Sequence, residues 1–314
     1  MLTRSRFHML DYRIERLSID NIIHLQSLYR LTFSKEMSIE SLKGKYTTKV
    51  FGAEWIGYLA ITPDNISAAF YGVIPCRFRI GGEVHLAAQS ADTMTHPDHR
   101  KKGLFIQLAK LTYELARQEG IQFIFGFPNQ NSYPGFFKLK WHFVERPMQL
   151  FILKGSAIPW AKAFLKTPGL AKVYEKIIEV RYPLNFENKD FSEGDGVVRD
   201  QLFFEYKRQY TNTFTKRVNG VFSWMKNDGS LKIGLISFDE SIRAESFKNF
   251  LQHSARVLGC HPIILMTSFN SRLYKALSKI IKPRDGLPIG FYNLTNRHFN
   301  FDAVKFEYCD IDVF

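Results

Sequence analysis

The chain has 314 residues, 43 of them Lys or Arg and 30 Asp or Glu, for a formal charge of +13. With 45% hydrophobic residues, 29 Phe and 14 Tyr, it is too apolar to stay solvated, and its length suffices for two domains with a core each. The three cysteines, Cys76, Cys260 and Cys309, are odd in number and form no CxxC pair, which excludes a disulfide framework and a cysteine-rich zinc site and fits a reducing cytoplasm.

At the N-terminus, MLTRSRFHMLDYRIERLS has basic residues without an apolar stretch, and no run of about 18 apolar residues follows, so no membrane insertion is expected. A short strand is predicted around Tyr12–Leu17, then a helix with Ile22, Leu25, Leu28, Tyr29 and Leu31 at helical spacing, then a second helix over Ile39–Tyr46. Strand-like runs follow: EWIGYLAIT, ISAAFYGVIPCRFRI and EVHLAAQSADTMTH, the last two joined by Gly81-Gly82, a hairpin signal. From Lys102 the period becomes helical, with Leu104, Phe105, Leu108, Leu111, Thr112 and Leu115 on one face and Gly120 as the stop. A buried strand, IQFIFGFP, a helical NQNSYPGFFKLK and a further strand, WHFVERPMQLFIL, complete the first half.

Gly155, Ser156 and Pro159 interrupt the pattern and place a domain boundary between residues 154 and 155. In the second half, NFENKDFSEGDG reads as an exposed loop. LKIGLISF, ESFKNFLQHSARVLG, HPIILMTSF and NSRLYKALSKI then repeat the strand–helix–strand–helix order of the first half. FEYCDIDVF reads as a last strand, where Asp310, Asp312 or the terminal carboxylate offers negative charge for an ammonium. The fold class is therefore mixed α/β.

One segment carries chemistry: Thr93-Met-Thr-His-Pro-Asp-His-Arg-Lys-Lys-Gly-Leu-Phe105. A strand ends near His96, Pro97 and Asp98 turn the chain, and a helix begins near Gly103. Free amides from Lys101 to Phe105 at a helix N-terminus favour an anion. Arg100, Lys101 and Lys102 oppose the helix dipole and ask for an anionic partner, and Gly103 lets backbone approach closely. The competing reading is a basic first turn on an ordinary amphipathic helix.

This run resembles the pyrophosphate signature of the GNAT N-acyltransferase superfamily, R/Q-x-x-G-x-G/A, with Arg100, Gly103 and Phe105 at its three fixed positions. Phe105 departs from the small residue usual there. The resemblance spans about Trp55 to Leu153. It implies a mixed sheet whose fourth and fifth strands splay to admit acyl-CoA, the co-substrate. Thr93, Met94 and Thr95 would offer backbone groups to pantetheine, residues Lys101, Lys102, Gly103, Leu104 and Phe105 would cradle the pyrophosphate, and Asn131 would lie beside the cofactor. A neutral amine would attack the thioester directly, its proton taken by a base. Asp92 and His96 are the candidate bases, each with a structural alternative: bonding loop amides, or ending the strand. The usual acid tyrosine falls here at about Lys138, so Tyr133 is the candidate acid, or simply packs at its turn.

The second half lacks the signature and has Asp239, Glu240 and Glu245 in its place. It resembles a degenerate GNAT-like module shaping the acceptor site. The layout is similar to that of two-domain nucleotide-linked amino-sugar N-acyltransferases, such as the dTDP-3-amino-3,6-dideoxyhexose N-acyltransferases of surface polysaccharide (lipopolysaccharide) biosynthesis. That implies transfer of an acetyl or short hydroxyacyl group to a nucleotide-diphosphate amino sugar. Alternatives are an aminoglycoside or protein-amine acetyltransferase and a non-catalytic CoA-binding regulator. The charge divides as +7 over residues 1–154 and +6 over 155–314, so no basic arm for nucleic acid is present and small phosphorylated ligands are expected. No metal is expected.

Overall fold

The computed structural model describes residues 12–34, 36–186, 189–209, 212–239, 243–312 and 314. Residues 1–11 and Glu240 of the sequence reading lie outside them. In chain order the elements are β1 (Arg13–Arg16), α1 (Ile22–Phe33), α2 (Ile39–Tyr46), β2 (Ile56–Ile61), β3 (Ser67–Ile80), β4 (Glu83–Thr95), α3 (Leu104–Gln118), β5 (Phe123–Gly126), α4 (Tyr133–Lys138) and β6 (His142–Phe143). Then follow β7 (Gln149–Leu153), α5 (Trp160–Lys166), α6 (Pro168–Arg181), β8 (Gly196–Val197), α7 (Gln201–Lys207), β9 (Thr213–Val218), β10 (Val221–Asn227), β11 (Leu231–Ser237), α8 (Ala244–Leu258), β12 (Ile263–Thr267), α9 (Arg272–Leu277), β13 (Arg284–Asp285) and β14 (Gly290–Asn293). The mixed α/β class holds.

Two compact units result. The first comprises residues 1–78, 83–143 and 290–299, and the second 79–82, 144–289 and 300–314. The division therefore falls at Phe143/Val144, not at 154/155, and the units are not two consecutive halves. The expected single strand WHFVERPMQLFIL is broken: β6 pairs with β14, while β7 pairs with β12 and β13. Pro147, in the break, cannot donate to a ladder.

In the first unit the strand order is β1-β2-β3-β4-β5-β14-β6. Gly81 and Gly82, at φ +58° and +84°, make the expected hairpin between β3 and β4. The amphipathic α3 buries Leu104, Leu108, Thr112 and Leu115, as its period predicts, together with Ala109, Tyr113 and Ala116. They join Ile56, Tyr71, Val73, Ala88, Ile124 and Trp141 in one core. Strand β4 pairs in parallel with β5 only at Ala87↔Phe123, Ala88↔Ile124 and Gln89↔Phe125, then runs on to Thr95 with no recorded β5 partner.

The second unit repeats this motif, with sheet order β13-β7-β12-β11-β10-β9. Strand β11 pairs in parallel with β12 at three positions, Leu231↔Ile263 to Ile233↔Leu265, and also outruns that pairing. Beside this opening lies the C-terminal segment. A Cβ on Gly234 would fall 2.2 Å from the Phe314 ring, and Phe306, Cys309, Ile311 and Phe314 are all buried. This segment is not the expected strand but a 3-10 turn, Tyr308–Asp310, held by reciprocal capping of Glu307 and Asp310, with one antiparallel bridge at Thr267↔Glu307. Residues 185–186 and 189–195 are irregular as expected but not wholly exposed, because Phe186 stacks on Phe204 at 4.0 Å and Phe191 on Phe222 at 4.7 Å.

Candidate active site

The signature segment lies at the C-terminal end of β4. After Thr95 a 3-10 turn, Pro97–His99, leads through Arg100 to Lys101 in the left-handed region at φ +62° and Gly103 at φ +80°, the N-cap of α3. The left-handed conformation suits glycine because it has no Cβ to crowd the following carbonyl. The N-cap has no side-chain hydrogen bond, and α3 has no acidic residue in its first turn. The first intrahelical bond across the cap is Gln107 N–H to Gly103 O, at 3.1 Å. Among the described residues, no hydrogen bond is recorded from the amides of Lys101 to Ile106, which leaves six donors at a positive helix end. Arg100, Lys101 and Gly103 are exposed and Lys102 half-buried.

Phe105, at the position where the signature has a small residue, turns inward. Its ring meets Tyr71 edge-on at 5.4 Å and Phe136 at 5.5 Å. Its substitution therefore adds a packing contact between α3 and α4 and leaves the backbone amide in place.

The candidate catalytic residues sit in different surroundings. Asp92 holds φ +55° inside β4, a rare conformation for a non-glycine strand residue. Both carboxylate oxygens are engaged: Oδ1 accepts from Lys45 Nζ at 2.7 Å and Oδ2 from Tyr46 OH at 2.7 Å, with the Asp92 and Lys45 side chains each only 7% exposed. Burial and the adjoining Asp92 charge push the Tyr46 phenol well above its usual range, so it stays a donor. His96 Nδ1 accepts the Asp98 N–H at 3.2 Å, which assigns its ring proton to Nε2 in the neutral form. His99 bonds Tyr12 OH at 2.9 Å, and its pKa is lowered by burial, then by Lys102. Tyr133 opens α4 partly exposed, with its ring 4.6 Å from that of Phe143. Asn131 is exposed, its N–H bonded to Asn129 Oδ1 at 2.9 Å in an Asx turn. Thr93 and Thr95 are half-buried, while Met94 is buried.

Sequence reading missed the support beneath β4. At the strand divergence Ser90 Oγ meets Tyr71 OH at 2.9 Å, Tyr71 OH meets Tyr113 OH at 2.9 Å, and Trp141 Nε1 donates to Tyr113 OH at 2.8 Å. An indole only donates, so the arrangement that satisfies each hydroxyl runs from Trp141 through Tyr113 and Tyr71 to Ser90. Burial raises the pKa of both tyrosines and keeps them protonated. These partners lie 19 to 42 residues apart along the chain and carry no local motif; the clustered aromatic residues were the one available signal.

Asp310 does not offer charge to an amine. Its carboxylate is fully buried and accepts from Arg199 Nε at 2.9 Å. Cys309 is buried, with its thiol pKa pushed far up by burial, then by Asp310, which removes it as a nucleophile. Among the described residues, no three-residue group of His, Cys, Asp or Glu is arranged to hold a metal, and no helix is long and apolar enough to cross a membrane.

A strand edge without its neighbour, continuing into a glycine-capped helix end with unpaired amides and three cations, fits a ligand carrying amides and a pyrophosphate. Residues 15–142 match the family described as the acetyltransferase (GNAT) domain. Over those residues the chain is thus similar to a GNAT acetyltransferase domain, the domain of acyl-CoA-dependent N-acyltransferases. No curated protein matches the chain by sequence. Similar solved structures include a GCN5-related N-acetyltransferase from Kribbella flavida, 12% identical, covering 90% of this chain and 72% of that one, with a TM-score of 0.56. A putative acetyltransferase from Pyrococcus horikoshii is 14% identical, with 98% and 96% covered and a TM-score of 0.55. A GCN5-related glucosamine N-acetyltransferase region of a fungal multi-domain GH3 β-N-acetylglucosaminidase is 12% identical, with 90% and 38% covered and a TM-score of 0.51. At these identities the likeness is one of fold.

Proposed function

We propose that the protein transfers an acetyl or short hydroxyacyl group from acyl-CoA to the amine of a nucleotide-linked amino sugar, in the cytoplasm, for surface polysaccharide assembly. The observation that carries the cofactor half is the run of β4 beyond Gln89 on which β5 no longer pairs, leading into the free amides of Lys101 to Ile106. Thr93, Met94 and Thr95 hold the pantetheine arm through backbone groups. Arg100, Lys101 and Lys102 neutralise the pyrophosphate, while Gly103, Leu104 and Phe105 contribute amides. Asn131 flanks the arm. An N–H near Met94 or Thr95 stabilises the oxygen of the attacked thioester.

Of the candidate bases, Asp92 has both oxygens engaged and His96 spends its Nδ1 lone pair on its own turn. Direct proton removal by either therefore requires rearrangement, and a water relay ending at one of them suits the geometry better. Tyr133, at the start of α4, is the acid for the departing thiolate. The amino-sugar acceptor rests on the resemblance of the whole layout, on a positive charge suited to a second polyanion, and on the glucosamine specificity named for one structural neighbour. Acceptor recognition is assigned to the second unit, whose own strand opening is lined by the Phe314 segment.

A non-catalytic CoA-binding protein is the second reading, favoured by those same engaged side chains. Thiol release measured with a panel of acyl-CoAs against nucleotide-linked amino sugars, aminoglycosides and peptide amines separates the readings. Release that depends on the sugar nucleotide supports the proposal; release with another amine only, or binding of CoA with no release, overturns it.

A further inference from the structure

Helix α6 presents three faces. Tyr174 and Ile178 are buried in the core of the second unit. Leu170, Val173, Ile177 and Val180, in contrast, are 45%, 57%, 56% and 72% exposed. At about 100° per residue these four fall in one sector about 80° wide, beside the buried face and separate from it. An isolated exposed leucine needs no explanation, but four large aliphatic side chains aligned along one helix do.

The charges on this helix are arranged around that stripe. Lys176 and Arg181 flank it on opposite sides, at about 80° and 60° from its centre, whereas Glu175 and Glu179 lie at about 180° and 140°, on the far side. Lys172, exposed at about 120° from the centre, lies among those carboxylates and does not border the stripe. Lys176 and Glu179 are in contact at 2.9 Å, but both are 70% exposed, and such a surface pair holds its partners weakly. An apolar stripe bordered by cations, with the carboxylates turned away, is the pattern of a helix lying in a membrane interface. A second copy of the helix fits less well, because the stripe is bordered by cations on both sides and like charges would face each other across the seam.

We propose that the α6 face docks on an anionic lipid surface, with Leu170, Val173, Ile177 and Val180 entering the interface and Lys176 and Arg181 meeting lipid phosphates. The protein rests on the membrane and does not cross it.

Full-length protein is sedimented with vesicles of phosphatidylcholine alone and with vesicles containing about one-third phosphatidylglycerol. The proposal predicts binding to the anionic vesicles, weakened by salt. It predicts that Val173→Asp/Ile177→Asp lowers the bound fraction about tenfold or more at an unchanged melting temperature, and that Lys176→Gln/Arg181→Gln weakens binding and flattens its salt dependence. Three outcomes overturn it: no binding to anionic vesicles at low salt, binding unaffected by both variants, or a dimer by light scattering that the Asp variant converts to monomer.

Discussion

The ring of Phe105 occupies the space a side chain on Gly135 would need: a Cβ there would lie 2.4 Å from Phe105 Cε1. The bulky residue in the signature and the glycine in α4 are thus one fitted pair. Gly135→Ala should destabilise the protein by about 1–3 kcal/mol, even though alanine is the better helix former. Phe105→Ala opens a cavity and is destabilising alone, but the double variant should be more stable than the sum of the single effects predicts. A double-mutant cycle on urea midpoints measures that coupling, and strict additivity would refute the fit.

The Lys45–Asp92 pair is buried on both sides, and Tyr46 completes it. Removing one partner leaves an uncompensated charge, so Lys45→Met should cost about 3–5 kcal/mol. Asp92→Asn should likewise lower the unfolding midpoint. If Asp92 acted solely as a base, kcat would fall with the midpoint unchanged.

Glu307 supplies a pH dependence. Burial raises its pKa from 4.5 to about 8, with Asp310 also raising it and Arg199 opposing. Between those values the folded state binds more protons than the unfolded chain, so this group's contribution to stability is full below about 4.5, declines as pH rises, and is lost through about 8. Glu307→Gln, which keeps an acceptor for the Thr267 hydroxyl now bonded at 3.0 Å, should flatten the decline between pH 5 and 8. Equal slopes for wild type and variant in denaturant titrations would contradict this assignment.

Local patterns predicted much of the fold. The α2 limits, the Gly81-Gly82 hairpin, the buried stripe of α3 and the repeated strand–helix–strand–helix unit follow from periodicity and turn chemistry. The return of β14 to the first sheet was not legible, because four residues, Gly290–Asn293, pair with β5 some 165 positions earlier, beyond any local period. The C-terminal segment alternates polar and apolar residues as a strand would, but reciprocal capping turns it instead. In the site, the glycine-capped helix start with its unbonded amides was readable from Arg100-Lys-Lys-Gly103. The lysine and tyrosine that hold Asp92 were not, since tertiary packing alone brings α2 beneath β4.

The cradle itself depends on one backbone conformation, Gly103 at φ +80°. A β-branched residue is strained there and would displace the amides around it.

Calorimetric titration of CoA into the wild-type protein and into Gly103→Val, with melting temperatures recorded for both, tests the central claim most directly. The account predicts saturable binding by the wild type and an affinity at least about tenfold lower for a folded variant, the equivalent of about 1.4 kcal/mol. No CoA binding by the wild type, or equal affinity in the variant, would contradict it.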